Sequence, residues 1–132
     1  MRAWWAVLVL VGQPGFAQDV DCENAQTQMD MNLCAEQEWQ AADAELNAAY
    51  QDARAAMQAI DADLPEAEQG AEENLRNAQR AWVTFRDAAC AAEGYAMHGG
   101  SAEPLLIYGC RAALTTERVQ GLQSLIESSS GG

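Results

Sequence analysis

The stretch Trp39-Gln40-Ala41-Ala42-Asp43-Ala44-Glu45-Leu46-Asn47-Ala48-Ala49-Tyr50-Gln51-Asp52-Ala53-Arg54-Ala55-Ala56-Met57-Gln58-Ala59-Ile60 decides the fold. Its apolar positions run Trp39, Ala42, Leu46, Ala49 (with Tyr50), Ala53, Met57, Ile60, in steps of three and four. Those steps draw one stripe down a helix of 3.6 residues per turn, a face that needs a partner. The composition agrees, because Ala, Gln, Glu and Leu favour a helix and Ile60 is the only β-branched residue in the stretch. Upstream, Thr27-Gln28-Met29-Asp30 has the form of a capping box. A helix is therefore expected from Gln28 to about Ile60, near ~50 Å long.

Downstream, the segment from Asp61 to Gly70 breaks the pattern, and Asp63-Leu64-Pro65-Glu66 reads as the capped start of a second helix. Its stripe is Leu75, Ala78, Trp82, Phe85, Ala89, Ala92, and Gly94 is a natural stop. This helix should lie antiparallel to the first across a short turn. The glycines of Gly94 to Glu103 mark a loop. Pro104 can open a third helix with the stripe Tyr108, Ala112, Thr115, Val119, Leu122, Ile126, although Thr115 or Thr116 could cap a separate fourth. Residues 128–132 read as a flexible tail. The fold class is all-α: a small antiparallel helical hairpin or three- to four-helix bundle.

At the other end, Met1-Arg2, the apolar run Ala3 to Val11 and the small residues Gly15 and Ala17 read as a signal peptide, residues 1–17, cleaved after Ala17. About ten apolar residues are too few to cross a ~30 Å bilayer core, so no membrane insertion is expected once the leader is removed. The helical domain would then occupy 18–127, in the periplasm or secreted.

Export bears on the four cysteines, Cys22, Cys34, Cys90 and Cys110, whose even number implies two disulfides. No pair has the close spacing of a zinc site. Three pairings are possible. Turns near 62–65 and 99 bring Cys34, Cys90 and Cys110 toward one end, which favours Cys22–Cys34 with Cys90–Cys110.

Charge narrows the partners. The sequence has seven basic residues against twenty acids, and none of the seven is lysine. Removing the leader takes Arg2 and leaves six arginines against twenty acids, a net charge of −14. Such a surface excludes nucleic acid and anionic membranes and favours a basic protein. Asp61, Asp63, Glu66, Glu68, Glu72 and Glu73 lack the calcium-loop pattern and read as a solvated turn. No metal ligands, cofactor or catalytic residues are assigned: His98 stands in a glycine loop without a nucleophile signature, and an alanine-rich bundle offers no evident cleft.

Ordered motifs carry a resemblance. Asp21-Cys22, Asn24-Ala25, Thr27-Gln28, Met31-Asn32 and Cys34-Ala35 open the series. Ala42-Asp43-x-Glu45-Leu46-Asn47-x-x-Tyr50 follows, then Ala78-Gln79-Arg80-Ala81-Trp82-x-x-Phe85-Arg86-Asp87-x-x-Cys90. Gly99-Gly100-Ser101, Cys110 and Thr116-x-Arg118-x-x-x-Leu122 close it. Over nearly all of the mature chain the sequence resembles the N-terminal domain of the LprI-type lysozyme inhibitors. The resemblance implies export, disulfides, a helical fold and inhibition of lysozyme; the reading built on it is a binding protein that inhibits lysozyme-type muramidases by occluding them.

Within the motifs, Trp82 and Phe85 lie on the core stripe and are read as packing groups. Arg86, beside Asp87, is read as a partly buried ion pair to an acid on another helix that sets register. Asn47 and Tyr50 are read as buried hydrogen-bonding and packing groups. The candidate contact site is the loop Tyr95, Met97, His98, Gly99, Gly100 and Ser101, preorganised if Cys90 pairs with Cys110. Its neutral or weakly cationic tip would enter the acidic cleft of a basic lysozyme while acidic flanks meet the rim. The competing reading is an accessory envelope module that assembles with another protein through its acidic helix faces.

Overall fold

The computed structural model describes residues 19–131. The expected leader and its cleavage after Ala17 lie outside the described residues. Three α-helices follow in order: α1 (Gln28–Ala62), α2 (Ala71–Gly94) and α3 (Glu103–Ser130). Short 3₁₀ turns stand at Cys22–Asn24, Glu66–Glu68 and Tyr95–Met97, and there is no strand among the described residues. The helices run up, down and up, so α3 is parallel to α1. Asn32 near the start of α1 donates to the Ser101 carbonyl just before α3, at 2.9 Å.

The capping box that opens α1 forms as the sequence predicts: the Thr27 hydroxyl accepts from the Asp30 amide, and the Asp30 carboxylate accepts from the Thr27 amide. The core gathers Leu46, Ala49, Ala53 and Met57 of α1, Leu75 of α2, and Val119 and Leu122 of α3. Alanines in the α1 stripe shape this arrangement. Small side chains at Ala42, Ala49 and Ala53 allow close helix approach, and α3 takes that place. The principal partner of α1 is therefore α3, and α2 packs more on α3 than on α1. The expected α1–α2 hairpin is the weaker of these contacts.

Two local expectations are corrected, one is refined and one open alternative is decided. The second helix opens at Ala71 rather than in the first turn after Asp63, because the Asp61 carboxylate reaches across to cap it. That carboxylate accepts from the amides of Gly70, Ala71 and Glu72 at 2.8–3.1 Å. Gly94 ends α2 as expected, but not through a left-handed turn, since its φ is −58°. It is glycine because Ile107 of α3 crosses there, and a Cβ would meet Ile107 Cγ1 at 2.6 Å. The third helix is single and unbroken, with Thr115 fully buried in its middle. It continues through Ser130, so the first residues of the expected tail are helical, their hydroxyls bonded to the carbonyls of Leu125 and Ile126.

The cysteines pair as Cys22–Cys34 and Cys90–Cys110. The first pins the N-terminal arm to the opening turns of α1. The second clamps the end of α2 to the beginning of α3, on both sides of the 95–102 connection.

Candidate functional site

The connection between α2 and α3 forms a braced tip. Glu103, at the start of α3, holds it with both carboxylate oxygens: Oε1 lies 3.1 Å from His98 Nδ1, and Oε2 accepts from the Gly99 amide at 2.8 Å. These bonds, the Gly99 amide first and His98 second, hold the Glu103 carboxyl below its usual range. Gly99 turns the chain with φ +76°, a left-handed conformation that glycine adopts without strain. Gly100 donates to the Met97 carbonyl, and Asn32 anchors Ser101 from α1.

On this frame the Tyr95 and His98 rings stack face to face, 4.4 Å between centroids and 2° from parallel. Tyr95 is 67% exposed and Met97 47%. The tip therefore offers an ordered aromatic pair and a thioether to solvent. The loop residues named from sequence are together here. Glu103 and Asn32, which order them, are not among the residues the sequence singles out for this loop. The signal available for Glu103 was an acid in the first turn of a helix preceded by two glycines.

Behind the tip, Arg111, Trp39 and Tyr108 stack upon one another. Trp39 and Tyr108 rings lie 5.7 Å apart, and the Arg111 guanidinium sits 5.0 Å from the Trp39 centroid. Arg86 also lies over Trp39, 5.5 Å from its ring centroid, and 5.2 Å from that of Trp82. Arg86 is buried, donates to Asp87 at 3.0 Å and to Asp43 of α1 at 3.4 Å, and reaches the Thr115 hydroxyl of α3. One guanidinium thus contacts all three helices.

Two motif readings are corrected. Phe85 is 58% exposed, because the buried face of α2 runs through Leu75, Gln79, Trp82, Arg86 and Cys90 and turns Phe85 away. Asn47 is exposed on α1, one position past buried Leu46, while Tyr50 is half-buried against the core.

Among the described residues no cluster of three or more His, Cys, Asp or Glu could hold a metal ion, and no helix is long and apolar enough to cross a membrane. Among the described residues Glu103 is the only side-chain hydrogen-bond partner of His98, and no hydroxyl or thiol bonds it.

Fold and tip together define a two-disulfide, three-helix domain that presents a braced loop. Residues 21–122 match the family model described as lysozyme inhibitor LprI. An uncharacterized protein of Rhizobium meliloti (strain 1021) is 46% identical over 128 residues, spanning 93% of this chain and 92% of that protein. The crystal structure of a DUF1311 family protein from Pseudomonas putida KT2440 superposes with a TM-score of 0.67 at 29% identity, over 83% of this chain and all of that one. This chain belongs to the LprI lysozyme inhibitor family. The family and the two disulfides point to an extracytoplasmic location.

Proposed function

We propose that this chain is an exported, acidic binding protein without catalytic activity that inhibits lysozyme-type muramidases by occluding them, acting in the periplasm or outside the cell. Family membership carries the reading, and the tip supplies a means. Tyr95 and His98 stand exposed and stacked on a frame clamped by Cys90–Cys110, so little entropy is lost when a partner closes over them. Beyond the leader, twenty acids stand against six arginines over the whole chain, a charge that steers a basic enzyme and repels nucleic acid.

The test is lysozyme activity against added oxidised protein at low and physiological salt. A saturable loss of activity that survives physiological salt is expected. Replacing Tyr95 and His98 together by alanine should weaken inhibition by about tenfold or more, as for anchors at the centre of an interface. Inhibition that vanishes with salt would reduce the interaction to charge attraction. Unchanged potency in the double variant would remove the tip as the contact. An accessory role in assembling envelope proteins is the second reading, favoured by exposed Phe85 on α2, away from the tip. Binding without loss of enzyme activity would select it.

A further inference from the structure

In a chain so rich in acid, three of the six arginines beyond the leader open into one groove. This shallow groove runs between α1 and α2, and Arg54, Arg76 and Arg80 line it with Tyr50, Gln79 and Val83. No carboxylate lines it. Arg54 and Arg76 share a single oxygen, Glu72 Oε1, at 2.7 and 3.4 Å. One negative charge thus serves two guanidiniums, and the groove keeps a net positive charge. Arg80 is exposed and has neither an ion pair nor a side-chain hydrogen bond among the described residues. Gln79 is oriented from behind: Arg118 of α3 donates to its Oε1 at 2.9 Å. That bond occupies the amide's acceptor and leaves its two N–H donors for the groove.

We infer that this groove is a binding site for an oxyanion, a carboxylate or phosphate ester on a small body whose apolar or sugar face rests on Tyr50 and Val83. Guanidinium forks match such anions bidentately, and the Gln79 amide adds a neutral donor. A small ligand is favoured over a long polyanion by screening. Interactions beyond about 8 Å are strongly screened at physiological ionic strength, so a compact anion meets mainly the groove's own charges, whereas an extended acidic chain would run over acids elsewhere on the surface. The site is separate from the tip: Thr84 at its edge precedes Tyr95 by eleven residues, about 16 Å along the helix axis. It stands or falls independently of muramidase inhibition.

The experiment is an NMR titration of the oxidised protein, recording backbone amides, arginine Nε–H and side-chain amides, with pyrophosphate and separately with glutarate. Saturable shifts centred on Arg54, Arg76, Arg80 and the Gln79 amide are expected from at least one probe. Saturation by pyrophosphate alone assigns a phosphate ligand, and by glutarate alone a carboxylate. Arg80→Gln, an exposed change that leaves the core untouched, should weaken binding about tenfold, while Arg111→Gln, behind the tip, should bind like the parent. Failure of both probes to saturate, or equal binding by Arg80→Gln and the parent, would overturn the inference.

Discussion

Arg86 occupies a position that hydropathy counts as surface. The expected α2 stripe ran through Ala78, Phe85 and Ala92, which the structure leaves exposed. The buried line instead includes Gln79 and Arg86, one residue further along. Two indole rings and two carboxylates make the difference: the guanidinium lies over both Trp39 and Trp82, and Asp43 and Asp87 accept hydrogen bonds from its N–H groups. A charge so paired can be buried, and its methylene stem packs like an apolar side chain. Arg86→Ala should therefore destabilise by about 2–3 kcal/mol, measured by urea denaturation, through lost stacking and charge-assisted bonds. A change within about 0.5 kcal/mol, typical of surface sites, would show that the guanidinium does not organise the helices. The local signal was present in Arg86-Asp87 beside Trp82, but the sequence does not say that Trp39 and Asp43 arrive from α1.

Between helices, carboxylates perform work that composition assigned to solvation. Asp61 ends α1 and caps α2, and three backbone amides hold its carboxyl below the usual range, those of Gly70, Glu72 and Ala71 in that order. Its folded pKa is depressed relative to an unfolded value of about 3.9. The stabilisation is thus fully present above that unfolded value and is lost as pH falls through the folded pKa. Hydrogen exchange at Gly70, Ala71 and Glu72 should lose protection at acid pH before core amides near Leu122 do, and Asp61→Asn should flatten this acid step. An acid step of the same size in Asp61→Asn would assign it to another carboxylate. Glu103 obeys the same sign at the tip, so the loop should hold its form at neutral pH and loosen only in acid. Proline and spacing placed the turn between α1 and α2 within a few residues; the residue that caps it was hidden because the cap spans a ten-residue separation.

For the whole molecule, the two ends are held by different forces. Core residues Leu46, Met57, Leu75 and Leu122 hold α1, α2 and α3 together, while both disulfides sit toward the tip end. Cys90–Cys110 spans 20 residues, and closing a loop of that size contributes about 3 kcal/mol in the chain-entropy model. Replacing both of these cysteines by alanine should lower unfolding stability by about that amount. It should also raise amide exchange in 95–102 more than around Leu122, as hydrogen exchange can check. Uniform exchange changes would mean that tip and core unfold as one unit.

By itself, the sequence determined what depends on neighbours within a few residues: helix periodicity, the Thr27–Asp30 box, the glycine loop and the ordered motifs that mark the family. Cysteine count left three pairings open, and turn positions favoured the one found without fixing it. Only the tertiary structure decided that α3, not α2, lies closest to α1, that Phe85 faces out while Arg86 is buried, and that three arginines share one groove. The reason is physical. Periodicity records that a helix has a buried face, but alanine-rich stripes are nearly as polar on one flank as on the other. The rotation and partner of each helix are then set by contacts such as Gly94 against Ile107 and Arg86 against Trp39, between residues far apart in the chain.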